Sequence, residues 1–267
     1  MPAIDPIIEL RGVSKSFGAQ RVLDRVNLAI EPRKCTVIIG RSGCGKSVLL
    51  KHIVGLLRPD AGEVYFEGQR IDQLGDRKLT SIRRQISFVF QLNALFDSMS
   101  VAENVAFPLT EGAVNRLPRA RVREIVDNRL ELVGLKGFQN KRPAQLSGGE
   151  KKRAALARAL AMEPPPKVIL YDEPTAGLDP QRSDVINKLI VALKTEQDVT
   201  SIVVTHDMKS AAEVGDRVLM LWDGRFVADG PPEKLAEAAD EHVRRFVTGV
   251  AEPEDIRALE ASVEENQ

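Results

Sequence analysis

The sequence predicts an α/β fold: a doubly wound core of parallel strands, an antiparallel β subdomain beside it, and a helical insertion within it. Three observations predict this. The apolar, β-branched runs at residues 35–39, 168–171 and 201–205 have the near-continuous hydrophobicity of strands covered on both faces. Ile8 and Leu10, then Val26, Leu28 and Ile30, then Val64 and Phe66 alternate with polar neighbours, as half-buried antiparallel strands do. From about residue 92 to 160 the spacing turns helical, with Val122, Ile125, Val126 and Leu130 on one stripe.

The elements follow in order. The strand at 35–39 runs into Gly40-Arg41-Ser42-Gly43-Cys44-Gly45-Lys46-Ser47, which fits the G-x-x-x-x-G-K-[ST] phosphate-binding loop. Its glycines let backbone N–H groups turn inward around an anion, and Ser47-Val48-Leu49-Leu50 opens a helix whose positive end faces that anion. The core is therefore expected to be a P-loop NTPase sheet of the RecA-like kind. Arg58-Pro59-Asp60-Ala61-Gly62 reads as the stop of this helix. Residues 86–90 read as a further strand, delivering Gln91. Ser147 and Glu150, ahead of an Ala/Leu-rich run, form a capping box with Ser147 as N-cap. Gly148 and Gly149 inside that first turn weaken the helix by about 1 kcal/mol each relative to Ala. Their presence makes sense where another body, such as a phosphate, approaches the backbone. The strand at 168–172 ends in Asp172 and Glu173, and the strand at 201–205 delivers His206. Residues 218–222, Asp223-Gly224 and Phe226-Val227 read as a hairpin with a type I′ turn. Pro231-Pro232 closes the core, and the acidic, weakly apolar tail at 252–267 is expected to lack order without a partner.

Composition narrows the functional classes. A chain of 267 residues can bury one large core with a small appended subdomain. Its 38 Lys and Arg balance 38 Asp and Glu, which argues against a nucleic-acid footprint. No apolar run approaches a bilayer span, and residues 1–5 do not form a signal peptide, so a cytosolic location is expected. The 2 cysteines have neither disulfide nor metal spacing. Cys44, at a helix N-terminus two residues from Lys46, is expected to favour its thiolate.

Leu146-Ser147-Gly148-Gly149-Glu150 resembles the LSGGQ signature of the ATP-binding cassette (ABC) ATPases, with Glu150 at the fifth place where the family has Gln. The resemblance covers roughly residues 7–235, with the helical subdomain at about 92–160 and a C-terminal extension at 236–267. Residues 168–173 match Walker B, and Pro174-Thr175-Ala176-Gly177-Leu178-Asp179-Pro180 matches the D-loop. The resemblance implies ATP and Mg²⁺ as ligands. It implies that Phe17 stacks on adenine where the family usually has Tyr, and that Gly40 to Val48 enclose the phosphates. Ser47, Gln91 and Asp172 would hold Mg²⁺ directly or through water. Glu173 is implied as the catalytic carboxylate, with His206 sensing the γ-phosphate and Gln91 linking the core to the helical subdomain. Ser147, Gly148, Gly149 and Glu150 would cap the ATP of a second subunit in a head-to-tail homodimer. The Glu150 side chain is expected to turn back onto Ser147 N–H and away from that ATP.

An ABC ATPase with no membrane span needs an integral membrane permease to move. Residues 88–109 lie where the family grips a permease helix. Ala94-Leu95-Phe96-Asp97-Ser98-Met99-Ser100-Val101, Glu103-Asn104-Val105-Ala106-Phe107-Pro108-Leu109, and His242-Val243-Arg244-Arg245-Phe246 are similar to the ATPases of Mla/Mce-type phospholipid transporters. That similarity implies a permease and a lipid-binding Mce-domain partner, with the chain peripheral on the inner face of a bacterial cytoplasmic membrane. Residues 147–153 also resemble the soluble ABC ATPase of iron–sulfur cluster assembly. Transport of another substrate, such as an amino acid, stays open as well.

Overall fold

A computed structural model describes residues 5–110, 117–238 and 240–251. The expectations for residues 1–4 and for the tail at 252–267 lie outside the described residues. Among the described residues ten strands make two sheets. In the first, β1 (Ile8–Phe17) pairs antiparallel with both β2 (Gln20–Ile30) and β4 (Ala61–Phe66), and the short β5 (Gln69–Arg70) extends β4. In the second, β9 (Arg217–Trp222), β3 (Cys35–Ile39), β8 (Thr200–Val204), β7 (Val168–Asp172) and β6 (Ile86–Val89) run parallel in that order, and β10 (Arg225–Gly230) closes one edge antiparallel.

The parallel strands read as continuous apolar runs because both faces are buried. Val37 and Ile39 of β3 enter one core while Ile38 enters the other; in β7, Ile169 and Tyr171 go one way and Leu170 the other. The antiparallel sheet and α1 (Lys46–Ile53) cover one side. The opposite core takes in α3 (Val101–Thr110), α4 (Arg119–Leu132), α5 (Gly148–Leu160), α6 (Pro180–Glu196) and α7 (Met208–Val214). The small helix α2 (Asp76–Arg83) precedes β6. The helix α8 (Glu241–Thr248) buries Val243 in the same core as the helices.

The structure corrects one boundary and details the 92–160 segment. The P-loop helix stops at Ile53, before Arg58-Pro59, because Gly55 takes a positive φ of 66° and Leu56 N–H caps Lys51 O at 2.9 Å. Helix starts only at Val101 in the 92–160 segment; the preceding stretch is a loop in which Asn93 and Ala94 have positive φ. Arg158 of α5 pins that loop, donating to Ala94 O at 2.6 Å and Asn93 O at 3.0 Å. Asp223 and Gly224 both have positive φ, as a type I′ hairpin requires.

Candidate functional site

All the parallel strands end on one side, and their C-terminal ends carry the polar residues. In an open α/β sheet this is where ligands are met. Ile39 of β3 leads into the P-loop, Asp172 ends β7, Thr205 and His206 follow β8, and Gln91 lies two residues past β6.

The P-loop is held tightly against β9 and β2. A Cβ on Gly40 would lie 2.3 Å from Leu221 O, and one on Gly45 would lie 2.9 Å from Val22 Cγ1, so only glycine lets the loop sit there. Ser42 and Gly43 are exposed at its tip, while Gly45 and Lys46 are buried and Arg41, Cys44, Ser47 and Val48 half-buried. Lys46 curls back into the loop and donates to Gly40 O at 2.7 Å and Arg41 O at 2.8 Å. An ammonium bonds two neutral carbonyls less strongly than it would anionic oxygens.

Cys44 departs from expectation. Burial pushes its thiol pKa up, and the nearby Lys46 ammonium, 4.0 Å from Sγ, opposes this only in part. Partial burial against the core outweighs the helix end and the cation. Cys35, wholly buried in β3, is pushed up to about 12.

Beside the loop, Ser47 hydroxyl donates to Asp172 Oδ1 at 3.2 Å. Burial raises the pKa of Asp172, the Ser47 hydrogen bond opposes that, and the Glu173 carboxylate next to it raises it further. A hydroxyl and a crowded carboxylate form a hard-oxygen pair that fits Mg²⁺, a cation that takes few protein ligands and completes its shell with water and phosphate.

Glu173 is 8% exposed and held at every polar atom. Its N–H donates to Val204 O at 2.9 Å. Its carbonyl accepts from Ala176 N–H at 3.2 Å and from Lys152 Nζ at 3.1 Å. Its carboxylate accepts from the Thr205 hydroxyl at 3.3 Å and meets His206 Nδ1 at 2.9 Å. Its φ of 51° is left-handed, a conformation costing a non-glycine residue about 1–2 kcal/mol.

Ser47, Asp172, Glu173 and His206 thus meet as one constellation. Gln91 and Phe17 are both exposed and make no hydrogen bond to these four among the described residues; the Phe17 ring, 49% exposed at the end of β1, carries Lys15 Nζ 5.6 Å from its centroid. Ser147 to Glu150 lie apart. No hydrogen bond or ion pair joins them to the P-loop among the described residues. The capping box forms as expected: Ser147 N–H donates to Glu150 Oε2 at 2.7 Å and Glu150 N–H to Ser147 Oγ at 3.4 Å. The Ser147 N–H, and then its hydroxyl, hold the Glu150 carboxyl below its usual pKa. Gly148 and Gly149 have no positive φ, and a Cβ on either would meet Leu178 at 3.6 Å or Arg182 at 3.4 Å. Among the described residues nothing makes glycine a necessity there.

The sequence reading missed Lys152, Thr205 and the role of Trp222. Trp222, at the end of β9, has the Arg41 guanidinium 5.3 Å from its ring and the His242 ring of α8 stacked on it at 4.6 Å. A basic residue amid the Lys151-Lys152-Arg153 run was the only signal for Lys152, and a threonine ending an apolar strand the only one for Thr205.

Comparison with known proteins agrees with this geometry. Residues 23–176, more than half of the chain, match the family described as ABC transporter. The chain is 40% identical to the intermembrane phospholipid transport system ATP-binding protein MlaF of Haemophilus influenzae, over 91% of this chain and 90% of that one. It is 41% identical to the probable ribonucleotide transport ATP-binding protein mkl of Mycobacterium leprae, over 91% of this chain and 69% of the relative. Among solved structures it resembles the dimeric ATP-binding cassette MJ0796 bound to ADP and Pi, with a TM-score of 0.77, 36% identity, and coverage of 84% and 98% of the two chains. It also resembles cbiO1 of Clostridium perfringens, with a TM-score of 0.79, 34% identity, and coverage of 96% and 99%. The chain belongs to the ABC transporter family, as one of its ATP-binding, ATP-hydrolysing cassettes.

Proposed function

We propose that this cassette hydrolyses Mg-ATP within a head-to-tail homodimer to power phospholipid transport through a separate membrane permease. Likeness to MlaF across nine-tenths of both chains carries the choice of substrate. The hydrolytic step rests on the clamped Glu173. Adenine stacks on the exposed Phe17 ring, and the phosphates enter the loop. Lys46 then exchanges the Gly40 and Arg41 carbonyls for phosphate oxygens. Ser47 and Asp172, with Gln91, would hold Mg²⁺, which would supply positive charge to offset that of the phosphates. Glu173 orients a water and takes its proton as the water oxygen bonds to the γ-phosphorus. The bond to the bridging oxygen breaks, leaving ADP and inorganic phosphate. His206, already against Glu173, is within reach of the phosphate that forms.

The signature turn, free of its own P-loop and lined by glycines the fold itself does not demand, fits against the γ-phosphate bound by a second copy. MJ0796, a relative, is dimeric with ADP and Pi bound. Because ADP lacks the γ-phosphate, it would not hold the closed pair, so each cycle opens and closes the dimer. Phe90, Phe96 and the 88%-exposed Leu92 present an apolar patch beside Gln91, suited to gripping a permease helix. No helix among the described residues is long and apolar enough to cross a membrane, so transport requires that partner. The cassette would then sit on the inner face of the bacterial cytoplasmic membrane, with an Mce-domain protein in the same complex.

A second reading, ribonucleotide transport, comes from the likeness to mkl. Affinity-tagged chain purified from its own membranes in mild detergent should bring down a permease and an Mce-domain protein. Reconstituted in liposomes, that complex should move labelled phospholipid in an ATP-dependent way. Movement of labelled ribonucleotide with none of phospholipid would replace the first reading by the second.

A further inference from the structure

The strained backbone of Glu173 has a support that the hydrolytic chemistry does not account for. Lys152 lies on α5, just past the signature turn, and is only 6% exposed. Among the described residues no carboxylate comes within ion-pair distance of its ammonium. Its hydrogen bond goes to Glu173 O at 3.1 Å, a carbonyl that already accepts from Ala176 N–H. Burying a cation against a single neutral acceptor is unfavourable. Burial accordingly lowers the pKa of Lys152, and the Glu173 carboxylate only partly offsets this. A methionine would fill the same space without that desolvation, so packing alone does not call for an ammonium there.

The geometry shows what it does there. Glu173 turns out of β7 in a left-handed conformation, with φ 51°. The direction of its side chain depends on how its two flanking peptide planes are held. Val204 O fixes the plane before it through the N–H, and Lys152 and Ala176 fix the plane after it through the carbonyl. Thr205 and His206 then find the carboxylate in place.

We propose that Lys152 is a positioning residue for hydrolysis: its ammonium locks the left-handed peptide of Glu173 so that the carboxylate faces the attacking water. Its hydrogen bond goes to the Glu173 backbone, not to the reacting carboxylate. It also ties the catalytic carboxylate to α5, the helix whose first turn is the signature. This rests on Glu173 being the hydrolytic carboxylate, and the test separates the two statements.

The experiment measures steady-state ATP hydrolysis by purified chain for Lys152→Met, Lys152→Arg and Glu173→Gln. Lys152→Met is expected to lower kcat about tenfold or more, since small misplacement of a reacting group is costly, with KM for ATP unchanged within about twofold. Lys152→Arg keeps a cationic donor and should recover most of the loss. Combined with Glu173→Gln, Lys152→Met should leave ATP-driven dimerisation intact, showing a folded, nucleotide-competent protein. If Lys152→Met does not fold, Lys152→Leu, which likewise fills space without a donor, gives the same reading. A Lys152→Met kcat near wild type, or Arg faring no better than Met, overturns the proposal even where Glu173→Gln is inactive. Full turnover by Glu173→Gln would instead remove the reading beneath it.

Discussion

Replacing Glu150 tests whether the departure from the family's glutamine disturbs the composite site. The carboxylate is committed to Ser147 N–H at 2.7 Å, and its own N–H returns to Ser147 Oγ. Glu150→Gln keeps an acceptor on the same arm and removes only the charge, which near a helix N-terminus stabilises by about 0.5 kcal/mol. Glu150→Ala removes the acceptor as well, for a total loss of about 1 kcal/mol. That corresponds to a fall in Tm of roughly 2–4 °C for a domain of this size. Because folding lowers the carboxyl's pKa, its contribution is present above the unfolded value and is lost as pH falls through the folded one. The gap between wild type and Glu150→Gln should therefore close in acid. The functional arm uses the Glu173→Gln background, where ATP should trap the dimer, with the dissociation constant read by analytical ultracentrifugation. A side chain turned away from the partner's ATP predicts a change within about threefold on Glu150→Gln, under 1 kcal/mol. A tenfold tightening, about 1.4 kcal/mol, would mean that the carboxylate faces the γ-phosphate and opposes closure.

Glu173→Gln itself should cut phosphate release by about 10²–10⁴-fold with ATP affinity retained; activity within threefold of wild type would remove Glu173 from general-base duty. Asp172→Asn should raise the Tm of nucleotide-free protein while abolishing Mg²⁺-dependent turnover. The raised pKa of Asp172 means its ionised form costs stability above the folded pKa, and that cost shrinks as pH falls below the folded value and is gone below the unfolded one; an unchanged or lower Tm at neutral pH contradicts this. Phe17→Ala should weaken ATP binding by about 1–2 kcal/mol while Phe17→Tyr leaves it alone, measured by titration calorimetry. Maleimide should label Cys44 more slowly than a free thiol but faster than Cys35, and Mg-ATP should protect it; equal labelling with and without nucleotide, read by mass spectrometry, would place the phosphates elsewhere.

Local rules made much of the architecture legible. Apolar runs without alternation marked strands buried on both faces, the Asp223-Gly224 pair gave its hairpin turn, and Ser147 with Glu150 gave its capping box. Each signal lies within a few residues of the feature it specifies. What escaped depends on distant partners. Whether Cys44 leans toward thiol or thiolate is decided by how deeply the core covers it, which neither the helix start nor Lys46 reveals. Lys152 finds Glu173 across 21 residues of chain, and nothing in the Lys151-Lys152-Arg153 run distinguishes the buried cation from its neighbours. The early end of α1 turned on Gly55, whereas the Pro59-containing stop was the louder signal.

The ring between Arg41 and His242 belongs to the only tryptophan in the chain. Indole emission responds to nearby charge and to stacked partners, and here one neighbour belongs to the P-loop and the other to the C-terminal helix. The molecule thus carries an intrinsic optical reporter with no competing chromophore of its kind. Nucleotide that redraws Arg41 toward phosphate would alter the intensity or wavelength of a single fluorophore, so occupancy could be followed in real time on unlabelled protein. Removing residues 241–251 would change the same signal from the other side, separating the contribution of the extension from that of the loop.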